Sequence, residues 1–350
     1  MKILKNIALA PLTTLGIGGP ARWFVETTSE AEIAEACAWT RERGVPLFVL
    51  GGGSNVLVAD AGFDGLALHV ALKGTEQKGE VLRSAAGEVW DVCVEQALAA
   101  NCAGIECLAG IPGTVGGTPV QNVGAYGQEV ASVIERVRAF DRAAQEFVEF
   151  TNAECGFAYR KSRFNTADRG RYVMTRVDYR LRRDGEPTVR YPDLARALLE
   201  TEQPSLAQVA AAVRLIRQNK GMLILKGEPN CRSVGSFFKN PVVAKEQVPQ
   251  IAERGSGLSW TKDPPQFPAG PRDVKLSAAW LIEEAGFHRG YRLGGAGISR
   301  RHTLALVNYG DADEGGATAA EILALAEKIR VAVEAKFGVR LEMEPEMVGF

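Results

Sequence analysis

Apolar and polar positions sort most of this chain into helices and strands. Residues 29–43, SEAEIAEACAWTRER, set apolar side chains at helical spacing behind a serine, with acids in the first turn and arginines in the last; this predicts a helix that Gly44 stops. VPLFVL (45–50) is a continuous apolar, β-branched run, and NVLVAD and GLALHV follow it as strands, so GGGSN (51–55) and DAGFDG fall at strand ends. VLRSAAGEVWDVCVEQALAAN predicts a strand, a glycine turn and a helix ending near Asn101. After a glycine-dense stretch (104–130), IERVRAFD, EFVEF, YVMTRVDYRL and PTVRY have the alternation of sheet strands, with CGFAYRKSRF (155–164) between two of them. DLARALL and SLAQVAAAVRLIRQNK predict helices, and the turn-rich QNKGMLILKGEPNCRS (218–233) places a domain boundary close to its beginning. Beyond it come a short helix (AAWLIEEAGF), a strand (HTLALVNYG) and a long amphipathic helix stopped by Gly338, so the first part is expected to be α/β and the last part α+β. No internal repeat or low-complexity tract interrupts the pattern.

Length and composition narrow this picture. A chain of 350 residues has room for about two domains with buried cores. With 46% hydrophobic and 24% charged residues and a formal net charge of −1, it has the composition of an ordinary soluble globular protein, and no basic field points to nucleic acid or a membrane. The six cysteines form no CxxC pair and the three histidines are scattered, which argues against a zinc site. The cysteines, Cys102 and Cys107 included, are expected to be small buried hydrophobes without disulfides. The first residues lack a cleavable signal pattern and no run of about 20 apolar residues occurs, so a cytoplasmic protein is expected.

Two glycine loops carry the candidate chemistry. GGGSN follows a strand, but its spacing is not GxGxxG and a second strand follows where a helix would open; Gly-Lys-Ser/Thr is absent from the chain. Successive glycines can still turn backbone N–H groups toward an anion, with Ser54 and Asn55 adding side-chain donors, although a plain tight turn fits the loop equally well. The second loop, AGIPGTVGG with QNVGAYG after it, holds Gly110, Gly113, Gly116 and Gly117 around Pro112, a density that lets backbone lie against a flat ligand. Together the loops suggest a dinucleotide.

GGGSNVLVAD, GIPGTVGGTPVQNVGAYGQEV, YRKSRF, GSFFKNP and LEMEPE occur in the order found in the UDP-N-acetylenolpyruvoylglucosamine reductases, and the chain resembles that family over nearly its whole length. The resemblance is to the longer subclass, with a tyrosine loop that covers the substrate. It implies a mixed α+β fold: a flavin-binding domain of the vanillyl-alcohol-oxidase (PCMH) type, about residues 17–184, and a C-terminal α+β substrate-binding domain. The implied division is 1–70, joined by the extreme C-terminus, and 71–205 as two α/β subdomains, then 206–350. Noncovalent FAD is implied, with Gly51, Gly52, Gly53, Ser54 and Asn55 at its diphosphate. Ile111, Pro112, Gly113, Thr114, Gly116, Gly117, Gly124, Ala125 and Tyr126 would line its ring and ribityl chain. Thr14 to Gly19 make a weaker contact, with Thr13 where many relatives have Asn. A covalent flavin would need a histidine or cysteine at the ring; neither glycine loop holds a histidine, and Cys102 and Cys107 lie just before the second.

The implied reaction is NADPH-dependent reduction of UDP-N-acetylglucosamine enolpyruvate to UDP-N-acetylmuramate, with a hydride passing from flavin N5 to the terminal enolpyruvyl carbon. Charge left on the substrate carboxylate calls for cations and donors. The resemblance assigns Arg160 and Glu346 as the stabilising pair, Glu346 being useful only when burial beside that charge keeps it protonated. It assigns Ser236 as the donor of a proton to the adjacent carbon, which explains a serine without a histidine beside it. Tyr191 and Asn240 match contacts to the substrate diphosphate, Lys220 and Lys275 are alternative candidates for its cation, and Tyr159 is a candidate for stacking near NADPH or the sugar, with sheet packing as its plain alternative. No metal, nucleic acid or membrane is implied, and a monomer is the family default. Taken one at a time, each residue reads first as something plainer: Ser236 as a turn or cap serine, Arg160 as a surface ion-pair partner and Glu346 as a solvated residue near a chain end. A serine hydrolase built on Ser236 and a flavin- or nucleotide-binding protein without turnover are the alternatives. GSFF is not GxSxG, which weighs against the first.

Overall fold

A computed structural model describes residues 1–310 and 316–350. The chain forms two compact units: one of Met1–Ala8, Pro20–Gly53 and Phe63–Asn219, the other of Leu9–Gly19, Ser54–Gly62 and Lys220–Phe350. The chain therefore passes from one to the other inside the first glycine loop, between Gly53 and Ser54.

In the first unit a four-stranded sheet runs in the order Leu4–Ala8, Pro20–Thr27, Phe63–Val70, Leu47–Leu50. Its last three strands are parallel, and the helix Glu30–Arg43 forms the crossover from Pro20–Thr27 to Leu47–Leu50. That helix has the predicted ends: the Ser29 side chain accepts from the Glu32 N–H, and Gly44 closes it at φ 62°. An antiparallel five-stranded sheet follows, in the order Glu146–Thr151, Ile134–Asp141, Tyr172–Arg180, Val81–Ala85, Thr75–Lys78. The predicted strand PTVRY does not form; Arg182–Arg183 pairs instead with Cys102–Ala103. Thr188 explains why, since its N–H donates to the buried Glu106 carboxylate (2.8 Å) in place of a ladder partner.

The helix Leu206–Asn219 also belongs to this unit. Val209, Ala210 and Val213 are fully buried in the same core as Trp90 and Tyr179, so the structure groups 206–219 with the residues before it and departs from the division expected at 205/206. The boundary lies at the start of the turn-rich 218–233, where the loop composition places it.

The second unit contains two three-stranded antiparallel sheets, Val242–Ala244/Asp273–Leu276/Gln266–Pro268 and Arg292–Leu293/Ala296–Ile298/Leu306–Asn308. Helices Ala278–Glu284 and Ala319–Phe337 close its core, where Trp280 meets Phe337 with ring centroids 5.6 Å apart. The long helix opens with the Thr318–Glu321 capping box and ends at Gly338. The C-terminal strand Glu346–Val348 pairs in parallel with Val56–Val58, so the extreme C-terminus does join a segment of 1–70, but within the second unit.

Candidate active site

In the first unit the two glycine loops lie against each other. A methyl group on Gly52 would sit 2.6 Å from Cα of Gly113, and one on Gly51 would sit 2.7 Å from the Thr114 hydroxyl. Glycine at position 52 therefore serves backbone-to-backbone packing, a requirement invisible in a local reading of GGGSN. The second loop is anchored from behind. The Trp90 N–H donates to Gly113 O (3.1 Å), Asp91 accepts from the Gly110 N–H (2.7 Å), and the buried Arg217 donates from Nε to Gly110 O (2.9 Å). Farther along, Thr118 is bonded to the fully buried Tyr179 hydroxyl (2.7 Å). Burial disfavours the charged form of Arg217 and lowers its pKa, yet its bonds fix the helix Leu206–Asn219 to the loop.

Between these anchors, Ile111, Pro112, Gly113 and Thr114 remain half-buried, and at Gly117, which is exposed, an added methyl group would meet open space. Neither 51–55 nor 110–118 contains a charged side chain. A neutral, donor-rich pair of loops with one open glycine face fits a diphosphate-bearing flavin nucleotide. The Cys107 thiol donates to Thr188 O (3.1 Å) and burial pushes its pKa up to about 12; burial raises that of Cys102 also. Neither thiol has the lowered pKa of a cysteine poised for attachment to a flavin ring.

Arg160 sits in a tight turn. Ala158 and Lys161 exchange both backbone hydrogen bonds (2.9 and 3.0 Å), with Tyr159 and Arg160 as the central pair. Arg160 has φ +54°, the left-handed position that such turns usually give to glycine or asparagine, at a strain of about 1–2 kcal/mol for other residues. The guanidinium lies 5.2 Å from the Tyr159 ring centroid and Nη2 donates to Gly124 O (2.6 Å), which joins YRKS to the QNVGAYG segment. Ala125 lies in the short strand Gly124–Ala125, paired with Gln128–Glu129. Tyr126, buried at φ +48°, packs edge-on against Tyr191 at 5.3 Å. Tyr191 stands at the N-cap of the helix Pro192–Ala197.

Ser236 and Glu346 belong to the second unit, where backbone positions them. The segment around Ser236 is bonded to two others: the Phe237 N–H donates to Leu304 O (2.7 Å), the Glu344 N–H to Phe237 O (2.9 Å), and the Lys239 N–H to Glu342 O (2.9 Å). Phe237 and Phe238 are fully buried, and each contributes about 2–3 kcal/mol of apolar burial. Gly235, before the serine, has φ +74°. The half-buried Ser236 thus lies two residues from the bridge that joins Phe238 to Met343 in the C-terminal segment.

Asn55, read as a diphosphate donor, also ties that segment: its Nδ2 donates to Glu344 O (3.3 Å) and its carbonyl accepts from the Glu346 N–H (2.9 Å). Ser54 and Asn55 form the turn leading into Val56–Val58. Glu346 itself is exposed, so the burial expected to keep it protonated is not supplied by this chain's own packing. Thr14 donates to Ser233 O (2.6 Å), and Leu15 and Ile17 are buried in the second unit's core. Asn240 uses its Oδ1 to accept from Ala278 N–H (2.9 Å) at the start of the helix Ala278–Glu284. Lys275 lies in the central strand Asp273–Leu276 opposite Val242, and Lys220, half-buried, begins the unit's last segment.

Reading motifs alone misses Asn122, Ser162, Asn165 and Arg217, whose side chains brace the loops. A local signal exists for Ser162, which caps the turn Arg163–Asn165 in a box with Asn165. None exists for Arg217, which reads as an ordinary helix arginine.

Comparison with known proteins places the chain in a family. Residues 21–150 match an FAD binding domain, and residues 228–348 match the C-terminal domain of UDP-N-acetylenolpyruvoylglucosamine reductase. The chain is 45% identical to the UDP-N-acetylenolpyruvoylglucosamine reductase of Streptomyces coelicolor, over 99% of this chain and 90% of that one. It is 44% identical to that of Thermobifida fusca, over 99% and 98%. The crystal structure of the Thermus caldophilus reductase (MurB) superposes with a TM-score of 0.66 at 27% identity, covering 99% of this chain and 98% of that one. With sequence identity this high along nearly all of its length, the chain belongs to the UDP-N-acetylenolpyruvoylglucosamine reductase family.

Proposed function

We propose that this chain reduces UDP-N-acetylglucosamine enolpyruvate to UDP-N-acetylmuramate in peptidoglycan precursor synthesis, with NADPH as the electron source and FAD as the carrier. The observation that carries the reading is the 45% identity to a curated reductase along 99% of the chain. Bound FAD would supply two-electron, hydride-level chemistry between NADPH and the enolpyruvyl group. Gly51 to Asn55, Ile111 to Gly117 and Gly124 to Tyr126 would hold it.

In this proposal Arg160 binds the substrate carboxylate and stabilises the charge that develops there. Ser236 Oγ gives its proton to the carbon beside the ether oxygen and regains one from solvent. Glu346 donates a hydrogen bond to the same charge; because it is exposed in the chain alone, substrate must supply the burial that keeps it protonated. Tyr191, Tyr159, Asn240 and one of Lys220 or Lys275 would contact the sugar nucleotide. Tyr191's support is its packing on Tyr126, which links a substrate-side ring to the flavin-side loop.

The two sheets of the first unit are proposed as the two flavin-binding subdomains, and the enzyme as a cytoplasmic monomer acting on small molecules. Among the described residues no helix is long and apolar enough to cross a membrane. The test is an anaerobic visible spectrum of the purified protein. Addition of NADPH should bleach a flavin band and the enolpyruvyl nucleotide should restore it; a protein that stays colourless after FAD is supplied would overturn the reading.

A further inference from the structure

We propose that Asn122 is a positioning residue for Arg160, an inference that rests on Arg160 meeting the substrate carboxylate. The turn that carries Arg160 is held at Ala158, whose carbonyl accepts both the Lys161 N–H (3.0 Å) and Asn122 Nδ2 (3.0 Å). Asn122 is 1% exposed and itself adopts φ +46°. The same amide nitrogen donates to Glu129 Oε2 (2.9 Å), and Asn122 Oδ1 accepts from the Ala131 N–H (3.1 Å). Glu129 is paired directly with Gly124, and Gly124 O is the acceptor for Arg160 Nη2. One amide therefore grips both ends of Arg160: the turn from which its side chain starts and the strand pair on which its guanidinium rests.

The chemistry demands an amide. Two donors must meet a carbonyl and a carboxylate while one acceptor meets an N–H; aspartate offers no donor and an apolar side chain offers neither group. A second brace acts on the far side of the turn, where Asn165 Nδ2 donates to Arg160 O (3.2 Å) and Asn165 Oδ1 accepts from the Ser162 N–H (2.9 Å). An arginine in a left-handed backbone position keeps that geometry only while its surroundings fix it. Backbone bonds hold the Asn122 loop by other means, from Val123 N–H to Thr118 O (3.0 Å) and from Val130 N–H to Val123 O (2.9 Å). Loss of the side chain is thus expected to free the Arg160 turn and leave the loop's path in place.

The experiment uses the FAD-loaded enzyme in anaerobic rapid mixing, following flavin absorbance with NADPH and separately with the enolpyruvyl nucleotide. Asn122→Ala is expected to slow reoxidation by the nucleotide about 10- to 100-fold while reduction by NADPH stays within about twofold. In the double variant Asn122→Ala/Arg160→Ala, reoxidation should be no slower than in Arg160→Ala alone, because a positioning residue has nothing left to position. Asn122→Asp, which keeps size and the Ala131 contact, should slow reoxidation as Asn122→Ala does. If Arg160→Ala is slow but Asn122→Ala is not, or the two effects multiply, this inference fails and the role of Arg160 stands. If Arg160→Ala leaves reoxidation unchanged, the role of Arg160 falls and this inference with it. Equal slowing of both half-reactions in Asn122→Asp assigns Asn122 to general loop structure and overturns the proposal.

Discussion

Arg160 in the first unit and Ser236 in the second both depend on a left-handed backbone position, reached by different means. At Arg160 the functional residue occupies that position, and side-chain amides from Asn122 and Asn165 hold it. At Ser236 the position falls one residue earlier, on Gly235, and backbone bonds to Leu304, Glu342 and Glu344 with two buried phenylalanines do the holding. Arg160's placement is therefore exposed to single polar substitutions around it. Ser236's placement has one polar side-chain support, the Ser233 Oγ that accepts from the Gly235 N–H (3.2 Å), and is expected to be most sensitive to its core.

The largest effect should come from Ser236→Ala. Removing a proton donor whose segment is fixed by backbone leaves that segment in place, so reoxidation by the enolpyruvyl nucleotide should fall by about 10²- to 10⁴-fold while NADPH reduces the flavin at nearly its normal rate. Stopped-flow measurement of the two half-reactions tests this, and equal loss in both would deny the serine its role. Next in size is Phe237→Ala, which empties a fully buried site and should cost about 3–5 kcal/mol of stability. A urea midpoint barely moved from the parent's would mean that the phenylalanine pair does not anchor the segment.

The finest comparison sets the two left-handed positions side by side. A methyl group added at Gly235 meets no atom within 4 Å, so Gly235→Ala should cost about 1–2 kcal/mol from backbone conformation alone. At position 160 the same order should hold: Arg160→Gly should be more stable than Arg160→Ala by about 1 kcal/mol, with reoxidation equally impaired in both. Thermal melts of the three variants decide it. An alanine at 160 as stable as glycine would remove the argument that Arg160 is held under strain.

Much of the fold was legible in sequence because it is local. Ser29 and Gly44, or Thr318 and Gly338, bound their helices through bonds to residues three or four positions away. Alternation marked Ile134–Asp141 and Tyr172–Arg180, each with a neighbouring strand on either side. Pro20–Thr27 escaped notice: it opens on a proline beside a glycine-rich stretch, yet lies between two partners in its sheet. PTVRY failed in the opposite sense, since its β-branched pattern lost to the buried Glu106 carboxylate at Thr188. The motifs named the candidate site by matching segments, one of which contains Asn122, but gave no sign of what Asn122 or Arg217 does, since their work is done on residues distant in the chain.

By itself, then, the sequence determined element types, their ends, the glycine loops and the family, since each is carried by neighbouring residues or by an ordered set of motifs. Tertiary structure alone decided that Gly52 faces Gly113, that 54–62 and 206–219 change the expected grouping, and that Arg160 takes a left-handed turn. Those outcomes depend on contacts and hydrogen bonds between segments far apart in the chain, and no local pattern of side chains encodes them.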